Sequence, residues 1–143
     1  MAPGVAVRGR ATDVTETRRH ISSGGPWEEA TGYSRAVVVG DSCWVSGTTD
    51  AGPDGTSLHP GDPAGQVRAA LATIERALAD AGFALADVVR TRIFVTDMAR
   101  AGEVLAVHGE FLGAVRPAST IVEVAALIHP SLLVEIEADG RRS

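Results

Sequence analysis

The side chains that could do chemistry in this 143-residue chain are a few arginines, one helix histidine and some scattered acids, and their spacing limits what each can do. Arg92 lies inside Thr91-Arg92-Ile93-Phe94-Val95, a run rich in β-branched and apolar residues. A guanidinium there needs a partner or an aqueous interface, because an uncompensated charge is costly in a protein interior. It either binds an anionic ligand or forms a structural ion pair with an acid such as Glu123 or Glu135. Arg116 precedes Ser119 by three residues, an odd offset that points it to the opposite face if the strand already runs through Pro117. It contacts a ligand or is a solvated strand-entry arginine. His108, in His108-Gly109-Glu110, could act as a general acid or base near neutral pH, or it is a partly exposed helix histidine. The ring of Trp27 could floor a pocket or pack at a seam between subunits. Cys43 has no histidine beside it in sequence and reads as a buried, inert thiol. No two histidines are four residues apart with a carboxylate to complete a ligand set, so no metal centre is expected.

These residues must be positioned by a small set of elements. Residues 1–19 are polar, rich in small side chains and aperiodic, and read as a flexible leader or weak edge segment, which leaves 20–143 as a single domain. Ala36-Val37-Val38-Val39 and Cys43-Trp44-Val45-Ser46-Gly47 flank Gly40-Asp41, a hairpin whose glycine can take positive φ. Residues 49–62 lack an apolar period and are full of Gly, Pro, Asp, Ser and Thr, which predicts a surface loop. The loop ends at Asp62-Pro63, where the carboxylate can cap free amides and proline suits the first helical position. Val67, Leu71, Ile74 and Leu78 then mark one face of a helix that Gly82 ends. A strand is predicted over 88–96, a shorter helix over 99–112 burying Val104, Val107 and Phe111, and two strands over 120–127 and 132–138. The consistent fold class is α+β, one mixed sheet with two helices on one face. Apolar residues fall on both parities of 88–96, with Val89, Ile93 and Val95 against Phe94, so the second face also needs a cover. No third helix supplies it, and self-association is the simplest remedy.

Composition narrows the chemistry further. With 45% hydrophobic residues the chain can bury one core without metal or disulfide support. All thirteen cations are arginine, and without lysine the Schiff-base and P-loop solutions drop out. A formal charge of −5 with no basic stripe predicts no nucleic-acid partner. No apolar run reaches membrane-spanning length and the N-terminal residues lack a signal-peptide layout, so no membrane partner is expected. The single cysteine fits a reducing compartment, hence a cytoplasmic protein, and no cofactor is expected.

Arg116-Pro117-Ala118-Ser119-Thr120-Ile121-Val122-Glu123-Val124-Ala125, followed by Val134-Glu135-Ile136-Glu137, resembles the RPARTxVEVA…VEIE pattern of the Rid family, the YjgF-like reactive-intermediate imine deaminases. Gly25-Pro26-Trp27 is similar to that family's GPY, Trp44-Val45-Ser46-Gly47 to its hxSGQ, and Arg92-Ile93-Phe94-Val95-Thr96-Asp97 to its xhFhxD; the matches run in order over residues 25–138. The resemblance implies a chorismate-mutase-like (YjgF-like) fold with a mixed six-stranded sheet. It also implies a homotrimer with small-molecule pockets at the subunit interfaces, and hydrolysis of a 2-imino acid or its enamine tautomer to a 2-oxo acid and ammonia. By the same resemblance, Trp27 lines the pocket from an N-terminal strand, Ser46 and Gly47 face the ligand, the helix of His108 approaches the rim, and Glu135 helps hold the attacking water. Ser119 falls where the family keeps its catalytic arginine, and exchanging a charged fork for one hydroxyl costs on the order of 1.5–3 kcal/mol of carboxylate binding. Thr48 stands at the family's pocket glutamine and Leu105 near its helix asparagine. The expected function is small-metabolite handling in an inter-subunit cleft, with imine or enamine deamination as the named reaction. Ser119 and Glu135 are then the catalytic positions, and Trp27, Ser46, Gly47, Arg92, Arg116 and His108 the ligand-binding ones. The alternatives are a non-catalytic ligand-binding or regulatory trimer, and a specialised pathway deaminase acting on a ring-cleavage product or a biosynthetic enamine.

Overall fold

The computed structural model describes residues 17–143. The elements run β1 (Arg18–Ile21), α1 (Pro26–Thr31), β2 (Ala36–Val39), β3 (Ser42–Thr48), α2 (Pro63–Asp80), β4 (Val88–Val95), α3 (Ala101–Leu112), β5 (Ala118–Glu123) and β6 (Val134–Arg141). The strands form one six-stranded sheet in the order β1-β2-β3-β6-β4-β5. β4 and β5 are parallel, linked by a crossover through α3, and every other neighbouring pair is antiparallel. The mixed sheet expected from the sequence is therefore present. Most of the expected leader lies outside the described residues, and its Arg18 and Arg19 open β1.

α2 forms where capping and period agree. The Asp62 carboxylate accepts from the Gly65 amide at 3.0 Å, Pro63 occupies the first turn, and Gly82 reverses the chain with φ 87°. Its buried stripe of Val67, Leu71, Ile74 and Leu78 packs on β3 and β6 and against α3. Val38, Val45, Ile93, Val95, Val134 and Ile136 complete the core from the sheet side. Each such side chain contributes about 1.5–3 kcal/mol on burial, so the alternation of β6 fixes its register. A one-residue slip would exchange Val134, Ile136 and Ala138 for Glu135, Glu137 and Asp139 in the core.

Five sequence expectations are corrected. β5 spans 118–123 instead of 120–127, because its one neighbour, β4, ends at Val95; the last rung is the Val124 amide on the Val95 carbonyl at 2.8 Å. β6 runs to Arg141 instead of 138, because it lies between two strands that both offer partners: Ser42 opposite Arg141 and Val88 opposite Gly140. α1 is a six-residue helix started by Pro26 and closed by Gly32 at φ 83°, so Trp27 sits on a helix instead of an N-terminal strand. Val89 is 51% exposed as the extra residue of a bulge between Val88 and Arg90, while Ile93 and Val95 are buried beneath the helices. Phe111, expected in the core, is half-buried, and Leu112 takes the inward position.

The sheet face opposite α2 and α3 has no covering layer among the described residues. It presents Trp44, Arg92, Phe94, Val122, Glu135 and Glu137, with Trp44 47% and Val122 40% exposed.

Candidate functional site

On the helix side, Thr91 and Ser119 are register partners in the parallel β4–β5 pair. Thr91 follows the inward parity of Ile93 and Val95 and is 1% exposed. Its hydroxyl hydrogen-bonds the Ser119 hydroxyl at 2.8 Å and His108 Nε2 at 2.9 Å. Side chains from β5, β4 and α3 thus form one continuous hydrogen-bonded chain. Burial holds the His108 pKa below its ordinary value, so the ring is neutral near pH 7 and keeps one donor and one acceptor. Both ends of this chain are candidates by sequence, but Thr91 is not. Its signal is the inward parity of a polar residue in an otherwise apolar row.

Glu135 lies on the other face. Register places it beside Phe94 and Val122, while Ser119 aligns with Thr91 and Ala138, three residues away and of opposite parity. The two expected catalytic positions are therefore on opposite faces of the sheet. Glu135 instead meets Gly47, where the β3–β6 ladder shifts register between Val45 and Thr48. A Cβ at position 47 would run into the Glu135 carboxylate, so only glycine lets the acid approach this backbone. Burial raises the Glu135 pKa; nearby Arg35 opposes the rise and Glu137 reinforces it.

Arg35 immediately precedes β2, and because Ala36 points inward the guanidinium projects to the uncovered face. Its Nη2 donates to the Gly47 carbonyl at 2.7 Å. Burial lowers its pKa, against the opposing influence of Tyr33, Glu28 and Glu135. Ser46 braces the same corner: its amide donates to the Arg35 carbonyl at 3.0 Å and its hydroxyl to the Ser34 carbonyl at 2.6 Å. Thr48 is buried with its hydroxyl on the Ser46 carbonyl at 2.7 Å. Arg35 is absent from the sequence candidates, although outward parity at a strand start was available as a signal.

The remaining candidates take structural partners. Arg92 pairs with Glu137 at 3.1 Å and Asp139 at 3.4 Å, acids other than the expected Glu123 or Glu135. Glu123 accepts the Met98 amide at 2.8 Å. Arg116 adopts φ 56° and donates its amide to the Leu112 carbonyl at 2.8 Å, closing the turn after α3. β5 starts only at Ala118, so the parity rule relating Arg116 to Ser119 does not apply. Trp27 is 56% exposed on α1.

A family model described as Endoribonuclease L-PSP matches residues 26–141. An uncharacterized protein of Streptomyces coelicolor is 36% identical over 129 residues, 90% of this chain and 95% of the relative. A RutC family protein of Pyrococcus horikoshii is 32% identical over 106 residues, 74% of this chain and 83% of its own. Among solved structures, Rv2704 of Mycobacterium tuberculosis, a member of the YjgF/YER057c/UK114 family, gives a TM-score of 0.80 at 52% identity, covering 88% of this chain and 100% of that one. The YjgF gene product of E. coli gives 0.71 at 30% identity, covering 87% and 94%. In sequence and in fold, the chain belongs to the endoribonuclease L-PSP family, the YjgF/RutC/Rid family.

Proposed function

We propose that the chain assembles as a homotrimer and hydrolyses a small imine or enamine in a cleft where the β5 edge of one copy meets the Glu135–Gly47 face of the next. The observation that carries the proposal is Glu135, a partly buried carboxyl of raised proton affinity held against backbone on an uncovered face. A group in that setting can take a proton from water in one step and return it in the next. β5 supports a shared cleft, since it is an edge strand exposed or half-buried along its whole length. Trp44 and Val122 add apolar surface that a second copy would bury.

The chemistry is balanced by water alone. Water oxygen attacks the imine carbon while Glu135 accepts its proton, the C=N π pair moves to nitrogen, and Glu135 returns that proton to nitrogen. The carbinolamine hydroxyl then gives its proton to Glu135, which passes it to nitrogen; C=O forms, and the C–N pair leaves with nitrogen as ammonia. Ser119 takes the position of the family's catalytic arginine, and its hydroxyl, backed by Thr91 and neutral His108, offers the substrate a hydrogen bond from the opposite wall. Glu137 and Asp139 already engage Arg92 on this face, which leaves no basic stripe among the described residues there for a phosphodiester backbone and favours a small metabolite over RNA.

The test is hydrolysis of 2-imino acids generated in situ by an amino-acid oxidase, read as loss of semicarbazone trapping. Wild type accelerates hydrolysis, and Glu135→Gln loses about a hundredfold or more. No wild-type rate, with a gain on Ser119→Arg, would replace the enzyme by the ligand-binding alternative. A clean monomer in solution at micromolar concentration would remove the shared cleft.

A further inference from the structure

Arg35 is a guanidinium with acids nearby whose own hydrogen bonding is incomplete. One backbone carbonyl, that of Gly47, accepts from Nη2 at 2.7 Å. Its Nε is buried and has no hydrogen-bond partner among the described residues. No carboxylate of the described residues forms an ion pair with it. The neighbouring Glu28 is already engaged: its buried carboxylate accepts the Ser23 amide at 3.1 Å and the Ser23 hydroxyl. The other nearby acid, Glu135, acts on the guanidinium through its field but makes no hydrogen bond or ion pair with it among the described residues. A guanidinium drawn partly out of water with so little compensation is costly unless an anion completes it.

The position of that anion is fixed by what holds the arginine. Gly47 binds the guanidinium through its carbonyl and admits the Glu135 carboxyl where its side chain would be. Glycine 47 therefore places a cation and a proton-handling acid side by side on one sheet face. A ligand with a planar anion bonded directly to the carbon that water attacks matches this arrangement, because a carboxylate accepts two parallel hydrogen bonds from a guanidinium.

We propose that Arg35 is the specificity-determining residue of the cleft and selects substrates carrying a carboxylate on the carbon adjacent to the imine. The inference rests on the cleft proposed above, and it assigns the carboxylate to a different strand from the one that bears Ser119. Arg35 touches the anion and leaves proton transfer to Glu135.

The test reads binding separately from turnover, using 2-oxobutanoate as the carboxylate probe and 2-butanone as its uncharged counterpart. Affinities are measured by ligand-observed NMR on the full-length chain. Wild type binds 2-oxobutanoate, Glu135→Gln still binds it, and Arg35→Met weakens it at least tenfold with no change toward 2-butanone. Arg35→Lys keeps part of the preference, and methylguanidine added to Arg35→Ala restores it. Circular dichroism and native mass confirm that each variant keeps its fold and assembly, and Arg35→Lys decides the matter if Arg35→Met does not fold. Undiminished 2-oxobutanoate binding by a folded Arg35→Met, or no binding by wild type at tens of millimolar, overturns the assignment. Imine turnover that ignores Arg35 would overturn the clamp and leave the deaminase; Arg35-dependent binding without turnover would leave the clamp and remove the deaminase.

Discussion

Replacing Thr91 by valine keeps shape and β-branching and deletes only the hydroxyl that joins Ser119 to His108. That hydroxyl makes hydrogen bonds of 2.8 and 2.9 Å from a site 1% exposed. Each contributes about 1 kcal/mol net. Ser119 is exposed and recovers a water, but His108 is half-buried and its Nε2 loses a partner, which adds up to about 1 kcal/mol. The expected loss is about 2–3 kcal/mol, or a melting temperature lower by roughly 6–12 °C for a domain of this size. Thr91→Ser keeps the oxygen, loses one methyl, and costs about 1 kcal/mol. Urea and thermal unfolding at fixed protein concentration measure both variants; the urea midpoint falls and the slope is unchanged. Combining Thr91→Val with His108→Leu costs less than the sum of the two, because both remove the same bond. A Thr91→Val protein that melts within a degree of wild type would refute the network. Equal losses from Thr91→Ser and Thr91→Val would assign the effect to packing instead of the hydroxyl.

Gly47→Ala pushes aside the Glu135 carboxyl, the far end of a flexible side chain, so stability falls by under about 1 kcal/mol while imine hydrolysis falls about a hundredfold. In a Glu135→Ala background the same change has no further kinetic effect; full activity in Gly47→Ala alone would separate the carboxyl from the chemistry. The folded Glu135 pKa is raised above its unfolded value, so its contribution is fully present below about pH 4.3 and is lost as pH rises through the folded value. Glu135→Gln is therefore more stable than wild type at neutral pH and loses that advantage in acid, and urea titrations at several pH values would show the opposite slope if the sign were wrong. Cys43 is fully buried and burial raises its thiol pKa, so aromatic disulfide reagents label it only after denaturant is added; rapid labelling of native protein at pH 8 would contradict its place in the core.

What the sequence makes legible is what local chemistry decides. α2 could be read because Asp62, Pro63, the apolar period and Gly82 all agree on one element. The bounds of β5 and β6 could not, because each strand ends where its neighbours stop offering partners, at Val95 for β5 and at Ser42 and Val88 for β6. α1 is too short for a periodic signal and exists through Pro26 and Gly32. In the site, Thr91 passes for ordinary β-propensity until the register with Ser119 is known. Arg35 gains meaning only once the irregularity after Val45 brings the Gly47 carbonyl to it. The motif names Ser119 and Glu135 together, yet parity and register put them on opposite faces of the sheet.

The strand order has a consequence for how this protein is made. β6 is synthesised after every other described strand and lies at the centre of the sheet, between β3 and β4. Until it leaves the ribosome, the β1–β3 ribbon and the β4–β5 pair have no common partner, and each presents an open edge to the other. α2, made early, can lay its stripe only on β3 and α3, since much of the surface beneath it is β6 itself. Before β6 emerges, the chain can therefore form two half-sheets but not the domain. Their joining waits on the strand that also carries Glu135, so that carboxyl takes its place in the same event that closes the fold.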